Sequence, residues 1–449
     1  MKNLDIAKFG GTSVADYAAM CNCVRVVTSN PNTRLTVVSA CAGVTNYLVE
    51  LSRGAGTDEE TKSMIDRLRE IHMDIINKLA NKDELVEKLD EILEEIDNLA
   101  GQAKIERSAA LTDRITGYGE ILSSMLMVEV FKSQGFNAQV FDVRKVMRTD
   151  STFGRAMPIV EVMKAQAKEY LEPLLQRDHI IVTQGFIGSN QVGQTTTLGR
   201  GGSDYSVALL GEALRAETIS IWTDVTGVYT TDPRLIPDAR PIDELTYQEA
   251  AEMATFGAKI LHPSTLLPAV RQGIPVYVGS SREPEKGGTW VRSETTSSPN
   301  YRAVALRQNQ SLIVLASPKM VGASGFLARV FGIFARFGLS VDLVTTSEIS
   351  IAVTLDFSQT SGHTSIPELM LDELRSFCHV KVEHKLSLLA IIGNKMSSTP
   401  GVTAKVFEAV EKYPVRMVCY GASSHNLCFL LEENCAVQAL KEIHRLLLE

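Results

Sequence analysis

The chain reads as an α/β protein with a mainly parallel sheet, followed by a smaller module built twice. Three observations predict this. Over residues 1–280 short apolar runs alternate with helical patterns, the mark of a βαβ series. Over 281–300 the chain turns polar and rich in Ser, Thr, Pro and Gly, as a domain linker does. Beyond it a βαββα pattern occurs twice, so roughly a third of the chain is an internal duplication.

In chain order, the candidate strands of the first part cover 4–7, 35–39, 137–141, 180–185, 219–223 and 275–278. Several end in Ser, Thr, Gly or Asp, and ligands of such sheets bind outside the carboxyl ends of the strands. Between 58 and 103 the texture changes. Ile65, Leu68, Ile71, Ile75 and Leu79, then Leu85, Leu89, Ile92, Ile96 and Leu99, recur at helical spacing among charges. That pattern predicts a helical hairpin packed on the sheet domain, with its charges solvated.

After the linker, the first copy has strands at 311–315, 340–346, 351–357 and 380–382, with helices at 325–338 and 366–377. The second copy has strands at 386–393, 415–420 and 426–431, with helices near 404–413 and 436–448. It lacks a fourth strand. Residues 301–306 are an unassigned strand ahead of the first copy, and placing them there inserts the first copy, 311–385, into a second formed by 301–310 and 386–449.

Composition narrows the function classes. The 449 residues are 45% hydrophobic and 22% charged, enough for roughly two to four ordinary domains. A net charge of −8 argues against nucleic acid or an anionic membrane as partner. No stretch approaches the ~20 apolar residues of a spanning helix, and no charged-then-apolar signal segment precedes the first glycines. A cytoplasmic protein is expected. Seven scattered cysteines without a Cys-x-x-Cys predict reduced, mostly buried thiols rather than disulfides or a zinc site. Eight dispersed histidines show no metal-ligand spacing, and His262 reads as structural.

Four segments carry chemistry. Lys8-Phe9-Gly10-Gly11-Thr12-Ser13 joins a strand to a glycine turn and a helix start, where unpaired amides and a lysine favour phosphate. On the glycines alone, a tight turn with a surface lysine accounts for it equally well. The spacing is neither that of the phosphate-binding P-loop nor Gly-x-Gly-x-x-Gly. The second segment, 195–204, packs three glycines, Arg200 and Asp204 into ten residues before a helix. Arginine's planar fork suits a carboxylate or phosphate, so this reads as a ligand loop. The third, 222–234, has a strand end, aromatics and Arg234, a weak nucleotide-pocket pattern by itself. The fourth, Thr255-Phe256-Gly257-Ala258-Lys259, offers a second lysine that alone would pass as a solvated charge.

Three of these segments, 8–14, 197–204 and 256–259, resemble the signature segments of aspartate kinases, within the amino-acid kinase superfamily. The resemblance spans the chain, and the duplicated module resembles that family's paired ACT domains. It implies a three-layer αβα sandwich with a mainly parallel sheet plus two C-terminal ferredoxin-like βαββαβ ACT domains. The kinase domain would cover 1–285, with its helical hairpin at about 58–107 and a linker at 286–300.

The implied reaction is ATP-dependent phosphorylation of the L-aspartate side chain to 4-phospho-L-aspartate, with Mg²⁺ held mainly by the nucleotide phosphates. Lys8, Asp204 and Lys259 are implied as catalytic residues. Lys8, Gly10, Gly11, Thr223, Asp224, Tyr229, Arg234 and Lys259 are implied on the nucleotide. Ser39, Thr45, Glu120, Arg200, Gly201, Gly202 and Ser203 fall on the substrate side, with Arg200 toward its carboxylate and Glu120 toward its ammonium.

Met320, Phe326, Leu327, Ser340, Val341, Asp342, Ser347 and Glu348 match the effector segments of the lysine-sensitive, monofunctional type. A helix N-terminus near Ser324-Gly325 would take an amino acid's carboxylate and Asp342 its ammonium. Ala323 departs from that type, which tends to carry a serine there. L-lysine is thus the expected allosteric inhibitor, and a homodimer or homotetramer through the ACT domains is expected. The alternatives are regulation by another amino acid, or a different amino-acid kinase.

Overall fold

The structure is a computed structural model that describes residues 3–177, 179–257, 261, 263–322, 324–356 and 365–449. The chain divides into two compact units. The first comprises Met1–Val228, Pro241–Ala251 and Ile260–Thr295, and the second Tyr229–Arg240, Glu252–Lys259 and Thr296–Glu449.

The strands of the first unit are β1 (Asp5–Phe9), β2 (Thr33–Val38), β3 (Ala138–Phe141), β4 (Ile180–Gln184), β5 (Ile187–Ser189), β6 (Thr195–Thr197), β7 (Thr218–Thr223), β8 (Glu244–Thr246), β9 (Val276–Ser280) and β10 (Gly288–Arg292). Among the described residues, eight of them form one sheet in the order β3-β4-β2-β1-β7-β9-β10-β8. All its pairings are parallel except β9 with β10. β5 and β6 make a separate antiparallel hairpin. The central strands are buried on both faces, as parallel strands covered by helices must be, and so read as near-continuous apolar runs.

Asp16 caps the helix Tyr17–Thr28 by accepting from the Ala19 N–H. The expected hairpin forms as helices Asp58–Ile76 and Lys82–Ile105, the first opened by a capping box between Thr57 and Glu60. Leu68, Ile75, Leu85, Leu89, Leu93 and Ile96 are buried in one core with the helix Ala109–Ser133. That helix is buried nearly all round, and each fully buried Leu or Phe it supplies contributes about 1.5–3 kcal/mol.

The second unit contains β11 (Ala303–Ala316), β12 (Val344–Thr346), β13 (Ser350–Asp356), β14 (His379–Ile392), β15 (Val415–Tyr420) and β16 (Asn426–Glu432). They form one sheet in the order β12-β13-β11-β14-β16-β15, antiparallel throughout. The strands predicted at 301–306 and 311–315 are one strand, β11, and those at 380–382 and 386–393 are one strand, β14. Each long strand serves both halves of the sheet. Ala303–Arg307 pairs with the second half of β14, whereas Gln310–Ala316 pairs with β13 and the first half of β14. The register shifts between Arg307 and Leu312, where Asn309 takes a φ of +58°, and Lys385 on β14 takes +56°. These local kinks let two four-stranded βαββαβ arrangements share two continuous strands.

Two boundaries differ from the expectation. Residues 288–292, expected in the linker, are strand β10, held by pairing with β9 and β8 and by Trp290 packing on Tyr277 at 5.0 Å between ring centroids. Tyr229–Arg240 and Glu252–Lys259, expected in the kinase domain, group with the second unit. The cause is packing: Ile236 is buried with Val304, Leu389 and Ile391, and the Val304 N–H donates to the Thr230 carbonyl at 2.8 Å.

Candidate active site

Strands β1, β2, β4 and β7 run parallel, so their carboxyl ends lie along one edge of the sheet. Lys8 sits one residue before the end of β1 and is 7% exposed. Its ammonium forms an ion pair with Asp204, in the first turn of the helix Gly202–Leu214. A carboxylate there is favoured by the helix's positive end, so Asp204 is well placed to hold a buried lysine.

The glycines earn their places by close approach. A Cβ on Gly11 would come within 2.8 Å of the Ala40 carbonyl oxygen, and one on Gly185 within 2.9 Å of the Ser203 Cα. The loops after β1 and β2, and after β4 and the Asp204 helix, therefore pack backbone to backbone. Gly10 lies 3.7 Å from Lys8 Nζ by the same measure. Its N–H donates to the Trp222 carbonyl at 3.0 Å, so the turn's first amide closes the β1–β7 edge. Ser13 is buried with its hydroxyl 2.7 Å from that of Ser281.

Glu120 lies in the middle of the helix Ala109–Ser133, buried, with Oε1 accepting from the Ala40 N–H at 3.1 Å. Gly119 permits this, since a Cβ there would reach the Ala40 Cβ at 2.7 Å. Oε2 has no hydrogen-bond partner among the described residues. Burial pushes the Glu120 carboxyl up to about 8, and the Ala40 bond and the Lys8 charge only partly offset it.

Ser39 is half-buried after β2, its N–H bonded to the Phe9 carbonyl at 3.1 Å, and Thr45 is exposed in the first turn of the helix Val44–Arg53. Arg200 is exposed between Gly199 and Gly201, whose φ values are +78° and +71°, and holds no ion pair among the described residues. Gly201 caps the helix in which Gly202, Ser203 and Asp204 form the first turn.

Thr223 ends β7 and Asp224 follows it, with the Thr223 hydroxyl 3.1 Å from the Asp224 carboxylate. Tyr229 and Arg234 belong to the second unit, where the Arg234 guanidinium folds back onto the Asp232 carboxylate at 2.7 Å. Lys259, His262 and Ala323 lie outside the described residues.

In the second unit the helix Phe326–Arg336 begins after Gly325, at a φ of +85° and without a side-chain cap. Phe326 packs edge-on against Phe377 at 5.6 Å, Leu327 is exposed, and Met320 and Val341 are half-buried. Ser340, Ser347 and Glu348 are exposed, and the Ser347 hydroxyl lies 2.7 Å from that of Ser350. The Asp342 carboxylate accepts from Arg307 Nη2 at 2.9 Å. Arg307 also donates to the Thr255 carbonyl at 3.2 Å. Arg307 carried no sequence signal.

Residues 4–280 match the amino acid kinase family and 389–447 an ACT domain. The chain therefore belongs to the amino acid kinase family. It is 50% identical to lysine-sensitive aspartokinase 3 of Escherichia coli over the whole of both chains, and 34% identical to an aspartokinase of Chlamydia pneumoniae over 98% of this chain and 96% of the other. Its structure matches E. coli aspartokinase III in complex with aspartate and ADP with a TM-score of 0.91, at 50% identity over 99% and 100% of the two chains. Against that enzyme in complex with lysine and aspartate, the TM-score is 0.86 at 49% identity over the whole of both chains. Within the family, this chain belongs to the aspartokinases.

Proposed function

We propose that the protein is an aspartate kinase, transferring a phosphoryl group from ATP to the side-chain carboxylate of L-aspartate, and that L-lysine inhibits it by feedback. The observation that carries this is buried Glu120, one oxygen fixed by the Ala40 N–H and the other without a hydrogen-bond partner among the described residues, facing the strand edge where Asp204 holds Lys8. A buried carboxylate with a spare oxygen suits an ammonium ligand. The E. coli relative, solved with aspartate and ADP and with lysine and aspartate, points the same way.

The chemistry asks little proton transfer of the protein. A substrate carboxylate with a pKa of about 3.9 is already ionised at neutral pH, so the nucleophile needs no general base. Phosphoryl transfer needs alignment and neutralisation of charge on the moving oxygens. We assign Lys8 and the Gly11 turn to the phosphates, with Asp204 directing Lys8 through their ion pair. Among the described residues no group of three or more His, Cys, Asp or Glu side chains could hold a metal ion, so magnesium would be carried by the nucleotide phosphates and would supply charge neutralisation there. Arg200 takes the α-carboxylate, Glu120 the ammonium, and Ser39 and Thr45 lie on the same substrate side. Lys259 is assigned to the nucleotide by its motif, as are Thr223, Asp224, Tyr229 and Arg234.

The effector assignment places lysine's ammonium at Asp342 and its carboxylate at the amides following Gly325. Phe326, Leu327, Met320 and Val341 supply apolar surface for its chain, and Ser340, Ser347 and Glu348 complete the segment. Assembly as a homodimer or homotetramer through the ACT domains, in the cytoplasm, completes the reading. No described helix is long and apolar enough to cross a membrane.

The test is ATP consumption with aspartate or glutamate, each alone and with lysine, threonine or methionine. Aspartate-dependent turnover that lysine suppresses is the expected result. Glutamate turnover without aspartate turnover, or inhibition by threonine or methionine alone, would assign a different kinase or effector.

A further inference from the structure

We infer that Asp113 is a positioning residue that fixes the Arg200 loop, the α-carboxylate side of the amino-acid site, relative to Glu120 on its ammonium side. The inference rests on the proposed roles of Glu120 and Arg200. Asp113 and Glu120 lie seven residues apart on the helix Ala109–Ser133, close to two full turns, and so share one face. Asp113 is 1% exposed and spends both oxygens on two loops. Oδ1 accepts from the Thr197 hydroxyl at 2.8 Å and the Gly154 N–H at 3.0 Å. Oδ2 accepts from the Thr197 N–H at 2.8 Å and the Gly154 N–H at 2.9 Å.

Thr197 ends β6, three residues before Arg200. The loop at Gly154 braces that exit from the other side. The Ala156 N–H donates to the Thr197 carbonyl at 2.8 Å, and a Cβ on Gly199 would stand 3.1 Å from the Gly154 carbonyl oxygen. Between the two carboxylates, Gly117 lets the helix press on the hairpin, where a Cβ would meet Ile187 at 3.0 Å and Thr195 at 3.3 Å. One helix face thus carries the ammonium partner directly and the arginine loop through Asp113.

A carboxylate is required because four acceptor contacts need two oxygens. Asparagine offers one oxygen and turns an NH₂ toward the remaining donors. The test is steady-state kinetics of Asp113→Asn and Thr197→Val, with Arg200→Ala as reference and thermal melts as the folding control. A misplacement of about 1 Å costs up to ~100-fold, so Asp113→Asn is expected to raise KM for aspartate at least about tenfold. KM for ATP should stay within about twofold.

Thr197→Val removes one donor and keeps the N–H, so it should give a smaller shift in the same direction, and it carries the test if Asp113→Asn does not fold. Equal rises in both KM values, or a fall in kcat at unchanged KM for aspartate, would overturn the inference. If Arg200→Ala leaves KM for aspartate unchanged, the assignment of Arg200 fails instead.

Discussion

Lys8 and Asp204 come from opposite ends of the first 204 residues and meet as a nearly buried ion pair at the carboxyl edge of the sheet. Side-chain exposures of 9% and 17% leave little water to compensate either charge alone. Breaking such a pair by removing one partner costs about 3–5 kcal/mol, because the survivor stays buried and unpaired. Lys8→Met and Asp204→Asn should each lower kcat by roughly 100-fold or more, the scale of losing one charge-stabilising group. Initial rates at saturating ATP and aspartate check this, with circular dichroism to show a retained fold.

Glu120 gives a pH signature of defined sign. Its carboxyl is raised from the usual 4.5 to about 8, first by burial, so the folded protein holds a proton that the unfolded chain has released. That difference removes stability as pH rises from the unfolded value toward 8, by at most about 1.4 kcal/mol per unit. Glu120→Gln cannot release a proton. Its melting temperature relative to the parent should therefore climb between pH 5 and 8, and a constant difference would contradict the assignment.

The same group should govern substrate affinity. An ammonium ligand needs the ionised carboxylate, so KM for aspartate is expected to fall as pH rises from 6.5 toward 8. Glu120→Gln should raise KM and flatten that dependence. A pH series of kcat/KM for the two proteins measures both.

Asp342 is already engaged by Arg307, so an effector ammonium must compete for a carboxylate that has a partner. Asp342→Ala should move the ratio of rates with and without lysine toward one. Calorimetric titration should show lysine affinity falling by roughly tenfold or more, the loss of a charge-assisted hydrogen bond. Undiminished lysine inhibition would remove Asp342 from the effector site.

Gly11→Ala tests the close approach at the first turn. The added methyl would stand 2.8 Å from the Ala40 carbonyl, which is backbone and moves only with its loop. A destabilisation of about 1–3 kcal/mol is expected from such overpacking, read as a shifted urea midpoint at unchanged slope.

Much of the fold was legible along the chain because its elements are locally consistent. The strands at 35–39, 180–185 and 219–223 agree with β2, β4 and β7 to within a residue or two, since buried parallel strands are apolar runs bounded by polar ends. The hairpin of helices was readable from its 3.6-residue period and its capping residues. β10 was not, because a short strand set among Ser, Gly and Thr carries the composition of a linker until β9 and β8 pair with it. The division of β11 and β14 into separate strands failed for a related reason. A kink at Asn309 or Lys385 resembles a turn in sequence, and only the neighbouring strands decide that the chain runs straight on.

The site divides in the same way. The glycine turn at Lys8, the loop at Arg200 and the duplicated module are local patterns, so the sequence by itself determined the family, the fold class and the candidate phosphate and carboxylate ligands. What a buried polar group touches is not local. That Asp204 holds Lys8, that Ala40 fixes one oxygen of Glu120, that Asp113 ties two loops and that Arg307 occupies Asp342 were decided by the tertiary structure alone. Each joins residues at least 35 positions apart, and no periodicity or composition records which distant donor a buried carboxylate will find.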